Sequence, residues 1–544
     1  MIEKIKLYFY AVRNLTFKQT AGRVFAQIKR RFKLYRIPKT PNNLAGEIES
    51  RIPFNEYDPW NNKEDILKGI FNFSYEKNEL GNPINWNPKF MSDSCRLQIH
   101  FFNFLYLIND AQKIDLIHGW IRQNKTGDEI SWHPYSISLR IFSWMRANLN
   151  DPVIDESIYR QAAFLYRNNE FYIPANHYLE NARALIFAGL YFDKNGESSK
   201  WLSKGLKIIT QALTKQVEAD GAYYEKSPMY HNIAVQIFVD ILNVLPKTFD
   251  EYNEIYSTVE KMADFLKSIL HPDGKFAQFS DSSLEMGNPP NVILNYTFEV
   301  TGYKAKFKNT FETSGHYIFK NETIYLALDA GSMADRRMSG HTHADIFNYE
   351  LSFNSKRFIV DTGTGTYHPT KERDVMRSTR AHNTLCIDGK SQAELWNSFR
   401  VGRFFDPKNI KWNINENGFI FEGEFDGYSK LIGDSLIHKR FMRFENNRLK
   451  IEDQVRGENH HLVESMVHLH PSVNIIDKGG KILILKSEES IAQFEVLEGE
   501  FKVEDSVYYP EMGLGIPNKS IVIFANSAPP INLSYLINFS PQSK

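Results

Sequence analysis

"SGHTHADIFNYELSFNSKRFIVDTGTGTY", residues 339–367, sets the character of the second half of the chain. Tyr349, Leu351 and Phe353 alternate with Glu350 and Ser352. That is the period of a half-buried strand, because successive side chains on an extended backbone point to opposite faces. Asn354-Ser355-Lys356 reads as the turn and Phe358-Ile359-Val360 as the returning strand. A hairpin built for stability alone needs neither His341-Thr342-His343 before it nor Asp361 after it. His341 and His343, at i and i+2, project to one side, and the hairpin returns Asp361 toward His343. A further imidazole source is "MVHLHPSV", where His468 and His470 share a strand face. Two imidazoles and a carboxylate suit zinc; equally, such pairs decorate solvated strand ends.

Downstream, the short alternating runs continue: "FIFEGEFDGY", "FMRFENNRLKIEDQV", "SIVIFAN". With "HYIFKNETIYLALDAG" before the hairpin, they predict an all-β half with the spacing of a sandwich. Upstream, the pattern from about 60 to 303 is helical. In "KWLSKGLKIITQAL", Leu202, Leu206, Ile209 and Leu213 fall at spacings of 4, 3 and 4, one stripe of an amphipathic helix. Similar segments recur at 96–123, 132–149, 155–170, 177–194, 229–246 and 252–270. Short polar breaks such as "DKNGESS" and "HPDG" join them, so neighbours pair as antiparallel hairpins.

Composition narrows the function. At 544 residues the chain exceeds what one core usually supports. Lys plus Arg equals Asp plus Glu at 65 each, which argues against a nucleic-acid protein driven by bulk charge. Cys95 and Cys386 supply neither a disulfide framework nor a cysteine-based zinc motif. No apolar run reaches the ~18 residues of a membrane span. "GTGT" lacks the lysine and helix of a phosphate loop.

Residues 1–40 depart from this balance. Eleven basic side chains, among them Arg13, Lys18, Arg23, Arg31, Lys33 and Arg36, face one acid, Glu3, for a net of +10. "LYFYAV" is too short for the apolar core of a secretory signal and leads to no cleavage site. A cytoplasmic or membrane-peripheral protein is expected, with a periplasmic one as the alternative. The arm is read either as a solvated, partly helical cap or as a contact for anionic membrane or polysaccharide.

Two clusters in the helical half are unusually polar. "IPANHYLENARALIFAGLYF" puts Asn176 and His177 at the start of an apolar helix, where Asn is also an ordinary cap. "DGAYYEKSPMYHNIAVQIF" gathers Tyr223, Tyr224, Glu225, Tyr230 and His231 around another helix start, where tyrosines commonly serve packing. They offer an amide, imidazoles and phenols, with no evident pair of acids and no Ser or Cys nucleophile motif.

These stretches together resemble the heparinase II/III family of polysaccharide lyases. The resemblance rests on "WHPYSISLRIFSW", "NHYLENARALIFAGLYF", "DGAYYEKSPMYH", the 339–367 hairpin and "RSTRAHNTLCIDGKSQAELWNSFRVGRF", in that order. It implies an (α/α) toroid at 46–305 after an arm at 1–45, then an antiparallel β-sandwich at 306–544. It assigns His341 to catalysis, and His343 with Asp361 to a zinc, generally structural in the family. The remaining ligand it implies is His468, with His470 as the alternative. It maps the catalytic Asn-His step to Asn176 and His177 and the catalytic tyrosine to Tyr230. His231, Tyr367 and Arg380 become candidates for binding the sugar acid.

One chemistry fits those residues. A uronate polymer is cleaved by removing the C5 proton and expelling the 4-O-linked sugar. Asn176 and His177 donate to the carboxylate and stabilise the charge that builds on it. His341 is the candidate base and Tyr230 the acid at O4, with Tyr230 able to do both for the opposite epimer. The resemblance is to a branch associated with bacterial surface-polysaccharide production, which widens the expected substrate from glycosaminoglycans to capsular or O-antigen glycans. The alternatives are a non-catalytic polysaccharide-binding or assembly protein and a glycoside hydrolase on the same toroid; hydrolysis wants two carboxyls across the bond.

Overall fold

Hydrophobic patterning separates the helices into two layers. Pro134–Ala147, Asn176–Tyr191 and Pro228–Val244 are buried almost all round, as helices apolar on every side must be. Pro152–Asn168, Gly196–Lys215 and Asp250–Ser268 each bury one stripe and lie outside them. Inner and outer helices alternate along the chain, which makes the helical half a toroid of antiparallel hairpins. These elements belong to a computed structural model that describes residues 2–539 apart from 33, 36, 38, 42, 43, 74, 75, 193–195, 334, 336 and 337. Lys33 and Arg36 of the basic arm lie outside the described residues.

The single helix expected over 96–123 is broken. Asp93–Gln98 ends early, Phe102 takes φ +61, a 3₁₀ turn spans Asn103–Leu107, and a new helix starts at Asp110 behind an Asn109–Gln112 capping box. Burial of Phe102 against Trp86, Phe104, Trp120 and Trp144 outweighs helical continuity. The last toroid helix, Pro290–Thr301, stops at Gly302 with φ +78.

From Thr310 onward the chain is mainly β, interrupted by the short helices Lys371–Met376 and Gly427–Ile432. A five-stranded antiparallel sheet runs in chain order through Thr310–Phe311, His316–Lys320, Ile324–Asp329, Asn348–Phe353 and Lys356–Ile359. An eight-stranded antiparallel sheet packs on it, with the last strand, Ile531–Phe539, set between Arg448–Arg456 and Ser490–Glu498. The shared core is aromatic: Phe319 meets Phe444 and Phe353 meets Phe539, each with ring centroids 4.9 Å apart. A four-stranded sheet carrying His461–His468 completes the sandwich.

The strand Asn348–Phe353, expected to be half solvated, is buried on both faces. Its polar face closes on the toroid. Glu350 accepts from the Gln278 and Asp361 amides at 3.0 and 3.1 Å and pairs with His271 at 2.9 Å and Arg357 at 3.1 Å. His271 also reaches the Ser352 hydroxyl at 2.7 Å. A polar face can be buried this way because nearly every lone pair on it is matched. The turn Asn354-Ser355 has φ of +48 and +64, the left-handed pair that matches hairpin twist.

The arm forms two helices, Ile2–Arg13 and Phe17–Arg31. The first reaches the sandwich, where the Asn14 amide donates to the Gly402 carbonyl at 3.2 Å and Tyr8 meets Trp396. The second lies on the toroid, with Gly22 so close to Phe171 and Tyr172 that a Cβ would sit 2.8 Å from each. Among the described residues, no helix is long and apolar enough to cross a membrane.

A candidate active site at the seam between toroid and sandwich

Tyr230 occupies the third position of the helix Pro228–Val244, which is capped by the Ser227 hydroxyl accepting from the Tyr230 amide. That hydroxyl also donates to the Asp281 carbonyl at 2.6 Å, tying the helix start to a toroid loop. His341 arrives from the sandwich. Its ring lies against Tyr230 with centroids 4.0 Å apart, and its carbonyl accepts from the Asp281 amide at 3.0 Å. The Tyr230 hydroxyl is 3.2 Å from that of Tyr367, so these three expected residues converge. Burial, then Tyr367, Asp281 and Glu225, hold the Tyr230 phenol well above its ordinary value. Tyr230 is therefore a neutral donor at physiological pH.

Asp281 organises the cluster. Its carboxylate takes His341 Nδ1 at 3.0 Å, His343 Nε2 at 2.9 Å and the Arg373 guanidinium at 2.5 Å, with all four groups buried. Burial pushes Asp281 up, but Arg373, His341 and His343 outweigh it and hold the carboxyl well below the usual range. An ionised carboxylate only accepts, so His341 carries its proton on Nδ1 and presents Nε2 as the basic nitrogen. Glu225 stands at that side, with Oε2 3.3 Å from Nε2 but outside hydrogen-bond geometry, while its Oε1 accepts from the Asn176 amide at 2.8 Å.

Asn176 opens the helix Asn176–Tyr191, and its side-chain amide makes no hydrogen bond to another described residue. His177 stacks on Tyr135 at 3.9 Å, and its Nδ1 lies 3.3 Å from the buried Glu170. Burial pushes His177 down, but Glu170 outweighs it and raises the imidazole above its ordinary value. Glu170, pushed up by burial, is pulled down to about 2 by His177 and His133.

The sign of each shift fixes a pH window. The raised His177 stabilises the fold fully below about 6.5 and loses that contribution as pH rises through its folded value. The depressed Glu170 stabilises above about 4.5 and loses it as pH falls toward 2. Glu170→Gln should therefore lower the melting temperature most between about pH 4.5 and 6.5, with the difference shrinking on either side. Melting curves of both proteins from pH 3 to 9 check this; a pH-independent difference would contradict it.

Three expected residues lie elsewhere in role. His231 is buried with Nε2 2.9 Å from the Met262 carbonyl and Nδ1 accepting from the Tyr223 amide at 3.2 Å, so it holds a loop and has no nitrogen left for substrate. Arg380 spends its guanidinium on Glu464 and Glu504. His468 has Nε2 3.0 Å from the Arg380 carbonyl and Nδ1 2.5 Å from the Ser520 hydroxyl, and its alternative, His470, pairs Nδ1 with the Ser472 hydroxyl.

The imidazole beside His343 is instead His382, with ring centroids 5.2 Å apart, and its Nδ1 lies 2.7 Å from Asp361. His343 gives its Nε2 proton to Asp281, so its Nδ1 carries a lone pair, buried and without a partner; His382 Nε2 is likewise buried and unpartnered. Burial depresses the His343 imidazole to about 3, keeping it neutral as a metal ligand must be. This donor set fits zinc in kind. Its atoms do not converge on one point, because Asp361 turns to Asn348 and His382, and among the described residues no group of three or more ligands is poised for an ion. The glycine after Asp361 follows from the same geometry: Gly363 sits at φ +76, and a Cβ there would lie 2.2 Å from the Tyr509 carbonyl.

The architecture is thus a helical toroid and an antiparallel sandwich that share a polar cluster at their seam. Sequence profiles of two parts match it: the heparinase II/III N-terminus over residues 122–304 and the heparinase II/III-like C-terminal region over 305–535. The chain belongs to the heparinase II/III family. It is 26% identical over 447 residues to the heparin-sulfate lyase of Pedobacter heparinus, covering 72% of this chain and 64% of that protein. With the heparin-sulfate lyase of Bacteroides stercoris the identity is 27% over 320 residues, 53% of this chain and 48% of that protein. The chain thus spans between about half and two thirds of these relatives. The crystal structure of a heparinase III superposes with a TM-score of 0.69 at 17% identity, covering 98% of this chain and 92% of that one.

Proposed function

We propose that the protein is a polysaccharide lyase that cleaves a uronic-acid-containing polysaccharide by β-elimination. The observation that carries this reading is the neutral phenol of Tyr230 lying on the imidazole of His341, whose Nδ1 proton is fixed by Asp281. The relatives named heparin-sulfate lyases support it.

In this mechanism the substrate carboxylate is met by the free amide of Asn176 and by His177, so that charge arriving from C5 is held by donors already in place. His341 Nε2 takes the C5 proton. Tyr230 gives its phenolic proton to the departing O4, and Tyr367, 3.2 Å away, orients that hydroxyl. The raised phenol suits Tyr230 as acid; service as base would require ionising it beside Asp281 and Glu225. A hydrolase using Asp281 and Glu225 fits less well, because Asp281 is wholly buried and ionised by Arg373 and has no proton to give. A panel of acidic polysaccharides, glycosaminoglycan and capsular, should yield ultraviolet absorbance from the unsaturated uronate end. Reducing ends without that absorbance would favour hydrolysis, and no cleavage at all the non-catalytic binding protein.

For the metal, His343, Asp361 and His382 are the residues that would hold a zinc, and a bound ion would neutralise charge among buried groups and brace the loops beside Asp281. Purified protein should carry about one zinc per chain. His343→Ala and His382→Ala should lose it and melt at lower temperature, because a structural ion contributes folding energy. His468→Ala should keep it. Metal lost with His468 but retained without His382 would restore the assignment expected from sequence.

A further inference from the structure

The second arm helix, Phe17–Arg31, is docked with its apolar side outward. At 3.6 residues per turn, Phe17, Ala21, Val24, Ile28 and Phe32 form one stripe. Its large members are exposed: Phe17 by 88%, Val24 by 52%, Ile28 by 44% and Phe32 by 69%. The face turned to the toroid is small or polar. Gln19 and Gly22 are buried there, Lys29 donates to the Arg167 carbonyl, and Arg30 reaches the Tyr172 hydroxyl. Phe25 belongs only partly to the outer stripe, since it also lines a cavity of about 170 Å³ beneath the helix. An amphipathic helix that shows water its apolar side has a partner for that side.

Charge identifies the partner. On the same helical projection Lys18 and Arg31 border the stripe, one on each side, both exposed, and Arg13 precedes it. The chain is neutral overall while residues 1–40 carry a net of +10, so the remainder is correspondingly acidic. A stripe of aromatic and aliphatic side chains rimmed by cations matches the headgroup boundary of an anionic bilayer, where such a helix lies in the plane. A second copy of this face would set the same cations against each other. A free acidic glycan would satisfy the cations and leave Phe17 and Ile28 wet.

We infer that the arm is a membrane-surface anchor, its Phe17–Phe32 stripe seated in an anionic phospholipid leaflet while its opposite side stays on the toroid. The test is co-sedimentation of the full-length protein at low salt with vesicles of phosphatidylglycerol and phosphatidylcholine, and with phosphatidylcholine alone. The wild type should bind the anionic vesicles and be released by salt. Phe17→Ser/Ile28→Ser should reduce partitioning by at least roughly tenfold. Lys18→Gln/Arg31→Gln should reduce it by about 30-fold. Because Phe17, Ile28 and Arg31 project into solvent and Lys18 touches the toroid only through its ammonium, 5.6 Å from the centre of the Phe171 ring, the melting temperature should change little and the cleavage of soluble substrate should stay unchanged. Absence of anionic-vesicle binding, variants that bind like the wild type, or a dimer in sedimentation velocity abolished by Phe17→Ser/Ile28→Ser would each overturn the inference.

Discussion

Tyr230→Phe should lower turnover by roughly 10²–10⁴-fold, the usual contribution of a positioned proton donor. The substitution keeps the ring against His341 and removes only the hydroxyl, so substrate should still bind and the fold should survive. The loss should fall on kcat rather than KM, because O4 needs its proton only as the bond breaks. His341→Ala should be comparably damaging and yet retain metal, since its ring nitrogens face Asp281 and Glu225. Steady-state kinetics with zinc analysis on both variants separates these outcomes. Near-normal turnover in Tyr230→Phe would remove Tyr230 from the mechanism.

Asp281→Asn should be the most destabilising single change in the seam. It deletes the charge opposite Arg373, whose side chain has no exposure, and weakens the anchor of His341 and His343. Breaking a buried ion pair from one side costs about 3–5 kcal/mol, because the remaining charge stays in place unpaired. Activity should fall with stability, since His341 loses the group that fixes its tautomer. Asp281→Asn/Arg373→Met, which removes both charges, should recover part of the stability. Denaturant midpoints for the two variants decide this; equal midpoints for Asp281→Asn and the wild type would mean that Arg373 is held by the Ser398 carbonyl instead.

The parts of this site that sequence made legible are those with a period or a spacing. The hairpin follows from the alternation of Tyr349, Leu351 and Phe353, whereas Tyr230, one of several tyrosines around the start of an apolar helix, is singled out only by the resemblance to the heparinase II/III family. Asp281 was not legible. "FAQFSDSSLE" reads as a polar loop, yet residues 276–284 are all buried, because the loop is held between the toroid's Ser227 on one side and His341, His343 and Glu350 of the sandwich on the other. Glu170, in "NNEFYIP", reads as a surface acid for the same reason and becomes an ion-pair partner only once His177 is set beside it. The sequence points to His468 as the third metal ligand, whereas the imidazole that the fold sets beside His343 is His382. An HxH pair on one strand is a visible pattern, whereas His382, alone after a 3₁₀ turn, gains meaning only from the fold that brings it to Asp361.

The mass of the products tests the central claim most directly. β-Elimination breaks the glycosidic bond without adding water, so the masses of the two fragments should sum to that of the substrate, with the unsaturation on the fragment that held C5. Digestion in ¹⁸O-water, read before the anomeric oxygen of the reducing ends exchanges with solvent, should leave no label in either fragment. A gain of one water per cut, with ¹⁸O at a new reducing end, would contradict elimination and make the site at Tyr230 and His341 a hydrolytic one.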